Sequence, residues 1–268
     1  MPQHFNVFGL TTGQFETMLL VLVRVTAMLS LVPIFSQTQL PRLLRVAIGL
    51  VLAFVIARTV PAIAPLGLGE LVVAVVSQVF VGIVYGFVSF LVFTGLQFAG
   101  EIIDTQIGFA VVNIINPLTS QSVTVIGEFQ LALATLLYLA ADMHHQLIAG
   151  MARSFMLVPL PYAAAPDLVG GDVMRFFAQS LFIVFQVAAP VAIALFLVNV
   201  MLGLMARVAP QMNVFVVGFP IQITVGLVML LVTIPLLGAV FPTLVDDSFR
   251  HTDTVLRAMA APSPSPGP

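Results

Sequence analysis

Between Arg207 and Asp246 the chain runs 38 residues without a formal charge, and the runs from Glu70 to Glu101 and from Arg175 to Arg207 reach 30 and 31. A helix crossing a hydrocarbon core of about 30 Å needs about 20 apolar residues. At 1.5 Å per residue a 30-residue helix is about 45 Å long. Helices built on such runs must tilt, kink or continue beyond the bilayer. The remaining gaps are shorter and uneven, with 12 residues between Arg45 and Arg58 and 13 between Glu128 and Asp142. Across all 268 residues 60% are apolar and only 7% charged, where a soluble chain carries about 25% charged residues. Mean hydropathy is +1.15. Too few charges remain to cover a water-facing surface, so the expected class is an all-α integral membrane protein with kinked helical hairpins. Arginines are spread too evenly over the segment ends for the positive-inside rule to give an orientation.

Several functions are excluded by what is missing. The net charge is −2 and no basic cluster occurs, so a nucleic-acid partner would meet no phosphate-neutralising patch. With no cysteine in the chain, disulfide scaffolds, thiolate metal sites and cysteine nucleophiles fall away. GxSxG, HExxH and Walker patterns are absent, so neither catalysis nor a cofactor is expected. Asp142, His144 and His145 have ligand chemistry, yet neighbouring helix residues point about 100° apart, and a solvated helix start is the expectation. His4 and His251 lie in terminal segments with no evident partners. No Lys or Arg precedes Arg24, so residues 1–15 read as a polar lead-in rather than a secretory signal.

Periodicity predicts helices over 14–33, 43–60, 70–104, 122–141, 143–157, 172–208 and 214–241. Pro33, Pro190, Pro210, Pro220 and Pro235 are candidate kinks. The 143–157 segment is amphipathic, with Met143, Leu147, Ile148, Met151, Phe155 and Met156 at helical spacing. Gly82 and Gly86 form GxxxG, and Gly49, Ala53 and Ala57 repeat a small residue every fourth position. Such spacing allows close helix packing, within this chain or against other subunits. Gln78, Gln97, Gln130, Gln179, Gln186 and Asn199 sit in apolar runs, where their amides want partners.

Arg24, Glu101, Asp104 and Glu128 are ionisable groups inside or bordering apolar segments, and such groups are functional suspects. The carboxylates suit a proton relay; the simpler reading of Glu101 and Asp104 is a segment boundary. Residues 100–122, GEIIDTQIGFAVVNIINPLTSQS, are polar at both ends and broken inside by Gly108, Asn113 and Asn116-Pro117. They read as a long excursion between helices, either a packing loop or a pore constriction, with Thr119, Ser120 and Ser122 as candidate caps for the next helix. Residues 207–227, RVAPQMNVFVVGFPIQITVGL, read as a helical hairpin. The break falls at Ala209-Pro210-Gln211, Asn213 is a candidate cap, and Gly218 and Pro220 weaken the second arm.

The string RVAPQMNVFVVGFPIQITVG resembles the FliR family of type III export-gate subunits, called SctT in injectisomes. So do GEIIDTQIGF followed by INP, and RVTAMLSLVPIFS with LPRLLRVAIGL; the likeness runs over residues 10–245. Gln222 stands where relatives often carry Lys. The resemblance implies a non-enzymatic subunit of the flagellar protein-export gate, combining FliP-like and FliQ-like parts in one chain. It implies a single copy assembled with FliP-like and FliQ-like subunits, an FlhB-like switch subunit at the entrance, and unfolded rod, hook and filament proteins in transit. It implies the bacterial inner membrane and flagellar basal body, contact with membrane lipid, and much of the assembly toward the periplasmic side. By position, the loop from Gln106 to Asn116 resembles the family's plug beside a methionine ring of the FliP-like subunits. Ile107, Phe109, Val111 and Val112 would be its apolar stoppers, Gly108 its hinge, and Asn113 part of its span. Arg207, Pro210, Gln211, Asn213, Phe215, Gly218 and Pro220 are assigned to subunit packing. Residues 1–245 would form one helical export-gate domain, and 246–268 a polar segment ending in a disordered Pro/Ser-rich tail. The injectisome homologue and, from another class, a carboxylate-coupled small-molecule transporter stay open as alternatives.

Overall fold

Backbone inside hydrocarbon has no water to pair with, so apolar runs of this length satisfy their amides as helices. The computed structural model describes residues 11–36, 41–109, 124–161 and 170–260, and every regular element among them is helical. In order these are α1 (Thr12–Leu31), α2 (Pro33–Ser36), α3 (Arg42–Ala57), α4 (Leu68–Ile107), α5 (Val125–Ala140), α6 (Met143–Leu157), α7 (Gly170–Val208) and α8 (Val214–Ala260). Among the described residues four stretches are long and apolar enough to cross a membrane: α1, α4, Met174–Val208 of α7, and α8. The consecutive helices α5 and α6 meet the same test only when taken together.

Pro33 and Pro210 mark true breaks, whereas Pro190, Pro220 and Pro235 stay inside continuous helices. The largest departure from expectation is α8, which runs to Ala260 instead of stopping near 241. Asp246, Asp247, Arg250, Asp253 and Arg257 end the apolar run but not the helix, because Val255, Leu256 and Met259 restore a buried face. That extension also corrects the reading of His251. Its Nδ1 lies 2.9 Å from the Asp247 carbonyl oxygen, and its ring centroid is 5.3 Å from that of Phe176.

The chain divides into two compact units: Met1–Phe90 with Asp142–Phe176 and Asp246–Pro268, and Leu91–Ala141 with Phe177–Val245. In the first unit, α1 starts on a capping box in which Thr11 and Gln14 exchange side-chain bonds with each other's backbone. The α3 face carrying Gly49, Ala53 and Ile56 is buried, and Gly49 sits against Thr26 and Leu29 of α1. Gly82 and Gly86 of α4 lie against the α1 backbone: a Cβ at 82 would fall 2.7 Å from the Arg24 carbonyl oxygen, and one at 86 the same distance from that of Met28. The GxxxG motif is therefore used within the chain. Amphipathic α6 buries Met143, Leu147, Met151 and Phe155 and leaves Met156 exposed. Arg153 of α6 pairs with Asp253 of α8 at 2.8 Å.

Arg24 is wholly buried in this unit. Its Nε donates to Gln78 Oε1 at 2.6 Å, Nη1 to the Ser154 carbonyl at 2.9 Å, and Nη2 to the Val158 carbonyl at 2.9 Å. The Phe155 ring centroid is 4.1 Å from its Cζ. Among the described residues no carboxylate pairs with it. Ser154 and Val158 lie at the C-terminal end of α6, where the helix dipole offers negative potential. One guanidinium thus ties α1 to α4 and closes the end of α6.

Candidate functional site

Two of the strings that carried the resemblance meet inside the second unit. The last turn of α4 ends at Gly108, whose φ of +95° lies in the left-handed region. The amides of Gly108 and Phe109 both donate to the Asp104 carbonyl at 3.1 Å. That pattern is a Schellman-type ending, which glycine adopts without the Cβ penalty of other residues. Ile107, the residue before it, is fully buried.

Its surroundings belong to α7 and α8. At Gly226 a Cβ would fall 2.5 Å from Ile107 Cγ1 and 3.7 Å from Leu195 Cδ1, so the missing side chain makes the notch that Ile107 occupies. At Gly108 a Cβ would fall 2.9 Å from Cε1 of Phe219 and 3.8 Å from the Gln222 side-chain oxygen. The Gln222 amide nitrogen in turn donates to Asn199 Oδ1 of α7. This bond joins the two arms of the hairpin.

The hairpin itself forms as the residues predict. α7 ends at Val208, and Asn213 caps α8 by accepting from the Phe215 amide at 3.2 Å. Gly218 packs on Leu202 across the arms. Arg207, Pro210, Gln211, Asn213, Phe215 and Pro220 are exposed, whereas Gly218 is buried. Of the residues assigned to the plug, Ile107 is buried, and Gln106, Gly108 and Phe109 are half-buried. Val111, Val112, Asn113 and Asn116 lie outside the described residues, as do the candidate caps Thr119, Ser120 and Ser122.

The far side of that excursion is anchored by α4. The carboxylate of Asp104, 3% exposed, accepts from the Ile126 amide at 3.1 and 3.2 Å. Thr124 precedes α5 without a capping bond of its own, so a carboxylate from another helix supplies the N-cap. Just below, Gly100 and Gly127 face each other, and a Cβ at 100 would fall 2.5 Å from the Gly127 Cα. Gln97 donates to Glu128 Oε1 at 3.4 Å; Glu128 is exposed and Glu101 half-buried. Phe93 packs on Tyr138 and Phe241, with centroids 5.4 and 5.8 Å apart. Gln130, by contrast, is buried with neither amide atom paired.

This geometry gives Asp104 a capping task, since both of its oxygens face an α5 amide. Sequence reasoning missed the cap, the Gly100–Gly127 crossing and the Gly226 notch. A signal for the first two was present: Gly100 and Asp104 are four residues apart and share a helix face. In the first unit the Asp142, His144 and His145 ligand atoms lie within 4.8 Å of one another, closer than the 100° argument suggested. Asp142, at φ 55°, starts α6 with a left-handed residue, which draws the first-turn side chains together. Donors around one zinc, each at about 2.0–2.1 Å, sit closer still, and Asp142 and His145 are well exposed.

Comparison with known proteins agrees with the strings. The family described as Bacterial export proteins, family 1, matches residues 15–248. Over 223 residues the chain is 34% identical to the Flagellar biosynthetic protein FliR of Bacillus subtilis (strain 168), spanning 81% of this chain and 86% of that protein. It is 29% identical to the protein of that name from Escherichia coli (strain K12), spanning 81% and 84%. The Aquifex aeolicus (strain VF5) protein of the same name is 26% identical over 249 residues, 92% of this chain and 96% of the relative. The chain belongs to this family of bacterial export proteins, the FliR family, and is a membrane-embedded export component rather than an enzyme.

Proposed function

We propose that the chain is a subunit of the flagellar protein-export gate. It assembles with FliP-like and FliQ-like subunits around a conduit for unfolded rod, hook and filament proteins, with an FlhB-like switch subunit at the entrance. Residues 1–245 supply the gate-forming part, and 246–268 a polar C-terminal segment. The assembly sits in the inner membrane at the flagellar basal body, displaced toward the periplasmic side. The name the relatives share favours the flagellar machine over an injectisome.

The observation that carries this reading is the paired anchoring at the base of the excursion. One end is fixed by the Gly108 cap and the Ile107 notch, the other by the Asp104 bond to α5. A segment held at both roots suits a plug, because its base is registered on the helices around it. Ile107, Phe109, Val111 and Val112 are its apolar stoppers, and an apolar constriction closes a pore by excluding water rather than by charge. Large apolar side chains on α7 and α8 support subunit packing, among them Phe196 at 62% and Phe215 at 76% exposure. Such surface needs either lipid or neighbouring subunits to cover it.

The test is removal of residues 107–112 from the chain in its native gate. The expected result is leakage of small ions across the inner membrane, with secretion retained. An assembled gate whose permeability is unchanged by the deletion would refute the plug.

A further inference from the structure

We propose that the start of α1, the end of α3 and the connection 59–64 form a binding site for one anionic phospholipid. Its phosphate sits on Arg58 and its acyl chains enter an apolar cavity beside that residue. Two adjoining cavities of the first unit carry the proposal. The smaller, about 350 Å³, is lined by Gln14 and Met18 of α1 and by Phe54, Ala57 and Arg58 at the end of α3. The larger, about 800 Å³, shares Val60 and Ala62 with it and reaches Phe155 and Met156 of α6. One wall common to both is fixed in place, because the Ile63 amide donates to Thr17 Oγ1 of α1 at 3.1 Å.

The smaller cavity calls for an anion. Arg58 is exposed, and among the described residues no carboxylate pairs with it. The Phe54 ring lies against its guanidinium, with the centroid 5.2 Å from Cζ. Stacking on a ring leaves the in-plane fork of donors for an acceptor, and that fork matches phosphate. From Val25 to Gly69 the chain carries three arginines and no acidic residue, so the local field is positive. Glu16, the neighbouring acid of α1, is buried and accepts from the Leu66 amide at 2.9 Å.

The larger cavity calls for hydrocarbon, which a free phosphate would not supply. Its level in the membrane agrees. Gly82 lies against Arg24 and Gly86 against Met28, so α1 and α4 run in the same direction and both begin beside the cavities. The ends of spanning helices are where headgroups lie. From there the exposed α3 side chains Leu50, Val51 and Phe54 lead back along the apolar core. An arginine at such an end keeps its charge among headgroups while apolar neighbours stay in hydrocarbon.

The test uses the full chain, purified from native membranes in mild detergent, stripped of lipid and titrated with phosphatidylglycerol, phosphatidylcholine or inorganic phosphate. Native mass spectrometry counts what stays bound. The expected result is one phosphatidylglycerol per chain, held about tenfold or more tighter than phosphatidylcholine, with no competition from inorganic phosphate. Arg58→Gln should weaken that binding about tenfold or more, and Ala62→Phe, which narrows both cavities, should weaken it as well. Arg42→Gln, at the other end of α3, should bind like the wild type. Equal binding of the two lipids, full retention by Arg58→Gln, or an equal loss in Arg42→Gln would overturn the site. Binding of inorganic phosphate in place of the lipid would overturn it too. Should Arg58→Gln not purify, Ala62→Phe decides, and undiminished phosphatidylglycerol binding there would overturn the proposal. Loss of a copurifying protein rather than of lipid in Ala62→Phe would give the cavities to a protein partner and overturn the lipid. None of these readouts involves permeability or secretion, so their failure would leave the export-gate reading standing.

Discussion

Replacing Arg24 by methionine is expected to destabilise the first unit by about 3 kcal/mol or more, since each buried acceptor left without a donor costs about 1–3 kcal/mol. Methionine keeps the volume and removes the cost of burying a charge, but the Gln78 amide oxygen and the Val158 carbonyl lose their donor, and the Ser154 carbonyl keeps only the Val158 amide. Those groups sit on α4 and at the end of α6, so the loss loosens three elements together. Arg24→Lys should recover only part of the stability. An ammonium offers its protons from one point, whereas the guanidinium fork reaches three separate oxygens. The measurement is thermal unfolding of the purified chain in mild detergent, alongside its steady-state level in membranes. Wild-type unfolding in both variants would show that the fork contributes nothing.

Gly82→Val is the second large effect. A Cβ there would stand 2.6 Å from Ala27 Cβ and 2.7 Å from the Arg24 carbonyl oxygen. The obstacle is a neighbouring backbone, not the tip of a flexible side chain, so α1 and α4 must part. Overpacking usually costs about 1–3 kcal/mol, and the upper end is expected here. Separation of the helices would also draw Arg24 away from Gln78, so the two effects are coupled and will not add. Gly86→Val should behave alike, because it meets the Met28 carbonyl oxygen and Leu31 Cβ. Gly238→Ala is the control. It has open space around its Cβ position, and alanine is the better helix former by about 1 kcal/mol. Unfolding temperatures should fall for 82 and 86 and hold or rise for 238; a uniform response would remove the close-packing explanation.

Much of this architecture was legible in the residues because hydrocarbon leaves a chain few choices. The long uncharged runs became α4, α7 and α8, and Asn213 capped α8 as its position suggested. The end of α8 was hidden because Asp246 and Asp247 stop the apolar run. Composition sees that boundary, while the buried spacing of Ser248, Thr252, Val255 and Met259 continues past it. Arg24 was visible as an embedded charge, but its partners lie 54 to 134 residues away, and no local pattern announces carbonyl acceptors. Asp104 was flagged for burial of an ionisable group, and its carboxylate caps α5 from a neighbouring helix. The notch at Gly226 depends on which residue arrives opposite it, a fact of packing that spacing alone does not encode.

We propose above that this chain works as one subunit of a flagellar export gate. It is tested most directly by affinity purification of the tagged chain from native membranes in mild detergent, with copurifying proteins identified by mass spectrometry. The account predicts recovery of FliP-like, FliQ-like and FlhB-like flagellar proteins together with the chain. A solitary, stable protein carrying out small-molecule transport would contradict it.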